Sequence, residues 1–274
     1  MLAPSCVRAL SLVSVLALLA SCGSNKVEDG PPRSASNPVA GLPGDAVPRP
    51  EPRSRYGNGP VYEVFGKRYT VMDSSTGYKE RGVASLYGKK FHGNLTAMRE
   101  PYDMHAMTAA HKSLPLPSYV RVRNLTNNKS IVVRVNDRGP FVDNRIIDLS
   151  YSAALKLDMV RDGTSLVEVE ALGFGGPAGD RPTRQTTPAA PAYQQQPNRI
   201  FIQVGAFGSR DNATRRLTLL RKGGIGSGLV VEDTSVAPAL YRVRVGPISG
   251  VEQYDLLVAE LAKLGINDPY LVTE

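Results

Sequence analysis

Two neighbouring segments, "YVRVRNL" (119–125) and "SIVVRVND" (130–137), alternate apolar and polar residues along their length. A period of two puts successive side chains on opposite faces of an extended chain, so each segment reads as a strand with one face in a core. Thr126-Asn127-Asn128-Lys129 joins them, and Asn tolerates the positive φ that a tight hairpin requires. "VASLY" before Gly88 and "LVEVEAL" (166–172) are further strands. Between them, Ser150 is placed to cap a short helix with Ala153, Ala154 and Leu157 on its apolar face. Short strands, one or two small helices and non-local pairing predict a small β-barrel.

A second region follows a β-α-β-β-α-β order. "IFIQVGAF" is a strand, and "SRDNATRRLTLLRKGG" begins with a capping residue. That helix carries Ala213, Leu217 and Leu220 on one face and stops at Gly223-Gly224. "GLVVED" and "LYRVRVGPI" are strands. "GVEQYDLLVAELAKLGI" is a helix with Tyr254, Leu257, Val258, Leu261 and Leu264 on one face, and "PYLVTE" closes the sheet.

The flanking segments are of another kind. Residues 1–21 hold one Arg and then an apolar run from Ala9 to Ala20, the layout of a secretory signal and too short to span a bilayer. Leu19-Ala20-Ser21-Cys22 resembles the lipobox of bacterial lipoproteins, which implies cleavage before Cys22 and acylation of that residue. Gly23 after the Cys implies sorting to the outer membrane, facing the periplasm. Residues 22–60 are rich in Pro, Gly, Ser and Arg and read as a flexible tether; the Pro- and Gln-rich stretch 175–198 reads as a linker. Two folded regions remain, 61–174 and 199–274.

The chain has two cysteines, Cys6 and Cys22. Loss of the first with the signal and acylation of the second leave no thiol to pair, so ordinary burial must stabilise the exported protein. The formal charge of +8 drops to +7 when Arg8 leaves with the signal. Such a charge suits nucleic acid, acidic lipid or an anionic polymer. An exported chain with no Trp and no aromatic-rich basic motif argues against nucleic acid.

Metal and cofactor chemistry find little support. Only His92, His105 and His111 are present, none paired at helical spacing, and no Gly-rich phosphate loop follows a strand. Ser85 lacks the flanking glycines of a nucleophile elbow. The acids are better candidates. Glu100 precedes Pro101, which biases it toward extended backbone. Asp137 ends the second hairpin strand, before Arg138-Gly139-Pro140. Cleaving a sugar requires a carboxyl that can protonate the leaving oxygen. Spacing alone leaves other readings open: a turn-forming Asp137, a solvated Glu100 and a structural His111.

"GVASLYGKKFHGNLTAMREPYDMHAMTAAHKSLPLPSYVRVRNL" and "SIVVRVNDRGPFVDNRIIDLSYSAALKL" resemble the rare lipoprotein A family. "FIQVGAF" and "YRVRVGP" look like the signature strands of its C-terminal sporulation-related repeat (SPOR) domain. The resemblance implies a six-stranded double-psi β-barrel followed by a βαββαβ SPOR domain with a four-stranded antiparallel sheet. It also implies a lytic transglycosylase that cuts peptidoglycan between N-acetylmuramic acid and N-acetylglucosamine, on strands stripped of stem peptides, and leaves 1,6-anhydro ends. The family's functional residues fall on Glu100, His111 and Asp137. Asp137 is then the expected acid/base, its pKa raised by Glu100; Glu100 stabilises the transition state; His111 orients one carboxylate. Arg134, Arg138, Lys112 and Tyr87 are the expected substrate contacts. The SPOR domain implies binding to the denuded glycans of the division septum, and Cys22 a lipid anchor in the membrane. The chain departs from the family's pattern at Met98-Arg99, where a small or polar residue and Gly are usual.

Double-psi barrels also resemble expansins, so a non-catalytic wall-binding or wall-loosening lipoprotein is the alternative. So is a septal interaction protein that depends on its SPOR domain.

Overall fold

The computed structural model describes residues 41–173 and 199–274. The expected signal peptide, Cys22, the start of the tether and the linker lie outside the described residues. The strands are β1 (Val61–Val64), β2 (Lys67–Thr70), β3 (Lys79–Leu86), β4 (Thr108–His111), β5 (Ser118–Asn124), β6 (Ser130–Asp137), β7 (Arg145–Leu149), β8 (Thr164–Ala171), β9 (Ile200–Phe207), β10 (Gly228–Asp233), β11 (Leu240–Ile248) and β12 (Tyr270–Thr273). The helices are α1 (Tyr151–Lys156), α2 (Arg210–Lys222) and α3 (Val251–Lys263).

Six strands close a barrel in the order β3-β7-β4-β6-β5-β8. Two neighbour pairs, β3–β7 and β4–β6, are parallel. The predicted hairpin is the β5–β6 pair, with Val120 opposite Val133 and Val122 opposite Ile131. The inward-facing residues of that alternation, with Ile147, Leu149, Val167 and Val169, fill the interior and are all but inaccessible. Each such burial contributes on the order of 1.5–3 kcal/mol. Ser150 caps α1 as expected, its hydroxyl accepting from the Ala153 amide. Ala153, Ala154 and Leu157 then join the barrel core.

Residues 45–58 correct the expected tether. The Ala46 amide donates to Val132 O at 3.0 Å and Asp45 accepts from the Val132 amide, so this stretch lines the outer side of β6. Further on, Asn58 Oδ1 accepts from the Leu116 amide while its Nδ2 donates to Leu116 O. The composition suggested a free chain because the stretch lacks apolar periodicity. What orders it is hydrogen bonding and ion pairing, with Asp45–Lys156 and Glu51–Arg134 both at 2.8 Å. The β1–β2 hairpin comes next, turned by Phe65 and Gly66 at φ 51° and 75°.

In the second region, four antiparallel strands form a sheet in the order β10-β11-β9-β12. α2 buries Ala213 and Leu220, and α3 buries Tyr254 and Leu261. Ser209 occupies the N-cap of α2 without a side-chain bond to the helix. Val83, Leu125 and Leu166 of the barrel belong to the apolar cluster that fills this second core. Arg145 on β7 reaches Asp255 on α3 through two bonds of 3.0 and 2.9 Å.

Candidate active site

The ends of β6 and β7 and the loop from Tyr87 to Met107 meet at one mouth of the barrel. β6 turns Val135 into the core opposite Ala109, and an irregularity in register at Asn136 then sets Asp137 opposite Ala110, on the other face of the sheet. Asp137 is 7% exposed. Its Oδ1 accepts from the amides of Ala97 and Arg138, both at 2.7 Å, and its Oδ2 accepts from the Tyr87 hydroxyl at 2.8 Å. The bond to its neighbour Arg138 is the turn-forming role read from sequence. The bonds to Ala97 and Tyr87 tie the same carboxylate to the loop over the mouth.

Glu100 stands on the other side of that loop. The loop is pinched by an isolated bridge between Leu95 and Pro101 and by bonds from the Arg99 amide to Thr96 O and from the Thr96 amide to Glu100 O. Arg99 takes φ 64° at the turn, the left-handed geometry that Gly adopts most readily. The departure at this position therefore keeps the glycine-type backbone. The Arg99 side chain is exposed and lies over the Tyr56 ring, 4.3 Å from its centroid.

The Glu100 carboxylate accepts two bonds from Arg134 (2.8 and 3.1 Å) and one from Asn136 (3.0 Å). The Arg134 bonds hold its pKa below the usual carboxylate range. The opposing carboxylate charge acting on it comes from Glu51. Glu51 itself is drawn down to about 2, chiefly by its bond to Arg134. Glu100 and Asp137 thus sit in separate hydrogen-bond sets. The two acids share no direct hydrogen-bond partner among the described residues.

His111 is 3% exposed and contacts neither carboxylate. Its Nδ1 accepts from the amides of Ser113 and Leu114, and its Nε2 lies 2.8 Å from the Tyr78 hydroxyl. With Nδ1 accepting, Nε2 carries the proton and donates to Tyr78, which donates onward to Glu80 at 2.6 Å. Burial pushes His111 down to about 3, with the charges of Arg138 and Lys112 adding to it. It is a neutral residue that fixes the turn after β4, and the expectation that it orients a carboxylate is corrected.

The expected cationic substrate contacts are also engaged internally. Arg134 bonds Glu51 as well as Glu100. Arg138 donates to the carbonyls of Gly57, His111, Lys112 and Leu114 and to Asn58 Oδ1, so it clasps residues 57–58 to the turn after β4. Lys112 Nζ donates to Arg145 O at 2.6 Å. Of the four expected contacts, Tyr87 alone reaches Asp137 through its side chain. Its ring packs on Tyr102 and Phe91, with centroids 4.3 and 5.1 Å away. Phe91 is 37% exposed, and this aromatic wall suits the apolar face of a sugar ring.

Sequence reasoning missed Asp148, near the end of β7. It lies opposite Ala110 of β4, which on its other side lies opposite Asp137. Ser85 donates a short hydrogen bond to Asp148 Oδ1. Burial raises the Asp148 carboxyl to about 6; the Ser85 bond, Lys112 and Arg145 oppose that rise, and the Asp137 charge adds to it. The signal was present in "RIIDLS": an acid closing a short apolar run just before a helix cap, much as Asp137 closes its own strand.

A family model described as lytic transglycolase matches residues 79–169, and a SPOR domain model matches 196–273. An endolytic peptidoglycan transglycosylase RlpA from Pseudomonas aeruginosa is 37% identical over 83% of this chain and 80% of its own length. The chain belongs to the RlpA family. The RlpA of Neisseria meningitidis serogroup A is 41% identical over 76% of this chain and 82% of its own. That of Vibrio cholerae is 54% identical over 50% of this chain, and the match spans about half (52%) of that relative's length. The barrel and the four-stranded sheet coincide with the two matched domains of RlpA.

Proposed function

We propose that this chain is an endolytic peptidoglycan lytic transglycosylase. Its substrate is the bond between N-acetylmuramic acid and N-acetylglucosamine in glycan strands without stem peptides, and its product is a 1,6-anhydro end. The observation that carries the reading is Asp137. It is a buried carboxylate at the barrel mouth, held by Tyr87 and Ala97 beside an aromatic wall, in a chain whose relatives bear that activity in their names. In lytic cleavage the sugar's own 6-hydroxyl is the nucleophile, so no water needs activating. The site must instead hold a negative charge near the oxocarbenium-like carbon and move one proton from the enzyme to the leaving oxygen. Asp137 serves at this reacting centre. Glu100, with Arg134 and Asn136, fixes the loop whose Ala97 amide grips Asp137. His111 secures the turn that Arg138 clasps.

The SPOR domain binds denuded glycan and brings the barrel to the division septum, where the enzyme helps daughter cells separate. Acylation at Cys22 anchors the chain to the outer membrane, facing the periplasm.

The test is product analysis by mass spectrometry after incubation with stem-free glycan. Anhydro ends support the proposal. Reducing ends identify a hydrolase, and an unchanged polymer leaves a wall-binding protein. If Asp137→Asn released anhydro products at the parent rate, the place given to Asp137 would be wrong.

A further inference from the structure

Asp137 and Asp148 occupy one level of the barrel. Both lie across from Ala110, Asp137 on β6 and Asp148 on β7. Two interstrand steps set their Cα atoms on the order of 10 Å apart. Little side chain stands between them. Ala110 offers a methyl group, and Gly139 offers no side chain. A Cβ at Gly139 would stand 3.5 Å from Asp148 Oδ2 and 3.7 Å from the Ala110 methyl, and its φ of 140° suits glycine. Tyr87 connects the two acids, since its hydroxyl bonds Asp137 while its amide donates to Leu149 O, one residue beyond Asp148. The Asp148 Oδ1 is held by Ser85, and Oδ2 faces the small-residue shelf. Their environments differ. Three donors converge on Asp137, whereas Asp148 receives one hydroxyl and is only partly exposed.

We infer that Asp148 is the residue that carries the proton in the lytic reaction, with Asp137 as the fixed negative charge beside the reacting carbon. This assignment rests on the transglycosylase reading above. In the first half-reaction, the Asp148 carboxyl gives its proton to the glycosidic oxygen. The C1–O bond breaks, its electron pair stays on the leaving N-acetylglucosamine, and positive charge develops at C1 of the muramoyl ring. In the second, the 6-hydroxyl oxygen bonds to C1 and its proton passes to the Asp148 carboxylate. One C–O bond breaks, one forms, no water is consumed and the acid is regenerated. Two nearby carboxyls with environments that separate their proton affinities are the recurrent way of dividing such roles. The groups around Asp148 are Ser85 and Tyr87 from β3 and its extension, Asp137 from β6, Lys112 after β4, Arg145 on its own strand and Tyr102 from the loop. A carboxyl raised to about 6 in that company retains its proton in mildly acidic solution.

The experiment compares the purified full chain with Asp148→Asn and Ser85→Ala on stem-free glycan. The Asn variant keeps an acceptor for Ser85 but carries no transferable proton. Its kcat is expected to fall by about 10²–10⁴-fold with KM little changed. A muramoyl glycoside with a 4-nitrophenolate leaving group needs no protonation, so release of nitrophenolate by the Asn variant should recover most of that loss. Removing the Ser85 bond takes away an interaction that favours the charged form. The alkaline limb of the Ser85→Ala kcat profile should therefore move to higher pH, a shift that a merely structural Ser85 would not produce. Parent-like kcat in Asp148→Asn, or equal losses on glycan and on the activated glycoside in a variant with a parent-like melting curve, would overturn the assignment. If the parent chain itself yields no anhydro ends, it is the transglycosylase reading that fails.

Discussion

Asp137 and Asp148 face the same residue, Ala110, from opposite sides of β4, and Tyr87 bonds to one and to the neighbour of the other. This relationship organises the mouth of the barrel more directly than the pairing of Asp137 with Glu100. It places two carboxyls on the strands that flank β4, where backbone spacing rather than side-chain reach sets their separation.

Asp148 makes stability depend on pH in a direction unusual for an acid. Its folded pKa of about 6 lies above the ordinary 3.8 of an aspartate. Its contribution is therefore fully present below about pH 4 and lost as pH rises through about 6. Melting temperatures of the parent and Asp148→Asn, followed from pH 4 to 7, should diverge in favour of the variant at the upper end. Parallel curves would contradict the raised carboxyl.

His111 works the other way. Its folded pKa of about 3 is below the ordinary 6.5, so its contribution is present above about pH 6.5 and disappears as pH falls toward 3. The His111 ring, followed by NMR, should stay neutral down to about pH 4. An inflection near 6.5 in its chemical shifts would refute the buried, Tyr78-donating ring described here.

Arg138 should matter to stability more than its position beside Asp137 suggests. Arg138→Ala removes a donor from four carbonyls and from Asn58 Oδ1, of which Lys112 O and Asn58 Oδ1 keep the Tyr62 hydroxyl and the Leu116 amide, at a cost of about 3 kcal/mol. For a chain of this size, that corresponds to a fall in Tm of roughly 6–12 °C. A fall within 2 °C by calorimetry would return Arg138 to the list of free substrate contacts.

Tyr87→Phe removes one donor from Asp137 and keeps the ring on Tyr102 and Phe91. The lost bond to a carboxylate corresponds to about 1.5–3 kcal/mol. The expected kinetic result is a drop in kcat of roughly tenfold or more with KM nearly unchanged. A rise in KM alone would make Tyr87 a binding residue only.

Arg99 gives a stability test of its turn. Arg99→Ala keeps the left-handed strain and loses the stacking on Tyr56, at a cost of about 0.5–1 kcal/mol. Arg99→Gly loses the same stacking and relieves the strain, so it should be more stable than the Ala variant by about 1 kcal/mol. Denaturant midpoints decide the order of the two.

The sequence made the barrel's hairpin legible because "YVRVRNL" and "SIVVRVND" alternate strictly, and each inward residue does fill the core. It made the second domain legible because both helices carry apolar faces at helical spacing. β4 was not legible: "TAAH" holds two alanines and no β-branched residue within the strand's centre. β7 was hidden because "RIIDL" places two apolar residues side by side and runs straight into the helix cap Ser150. Asp137 could be named because it ends a readable strand, and Asp148 could not because it ends an unreadable one. The partners of His111 and Arg138 were out of reach for another reason. They are mostly backbone groups brought in by turns, which carry no residue code.

The order of residues 45–58 also sets a length. For a chain anchored through Cys22, eighteen residues lie between that cysteine and Gly41, where the described structure begins. Whatever their conformation, they reach no farther than about 65 Å. A tether free as far as residue 60 would reach roughly twice that. In a chain so anchored, strapping this stretch to β6 would confine the barrel mouth to a thinner shell next to the membrane, and would limit which layers of glycan a single molecule can meet.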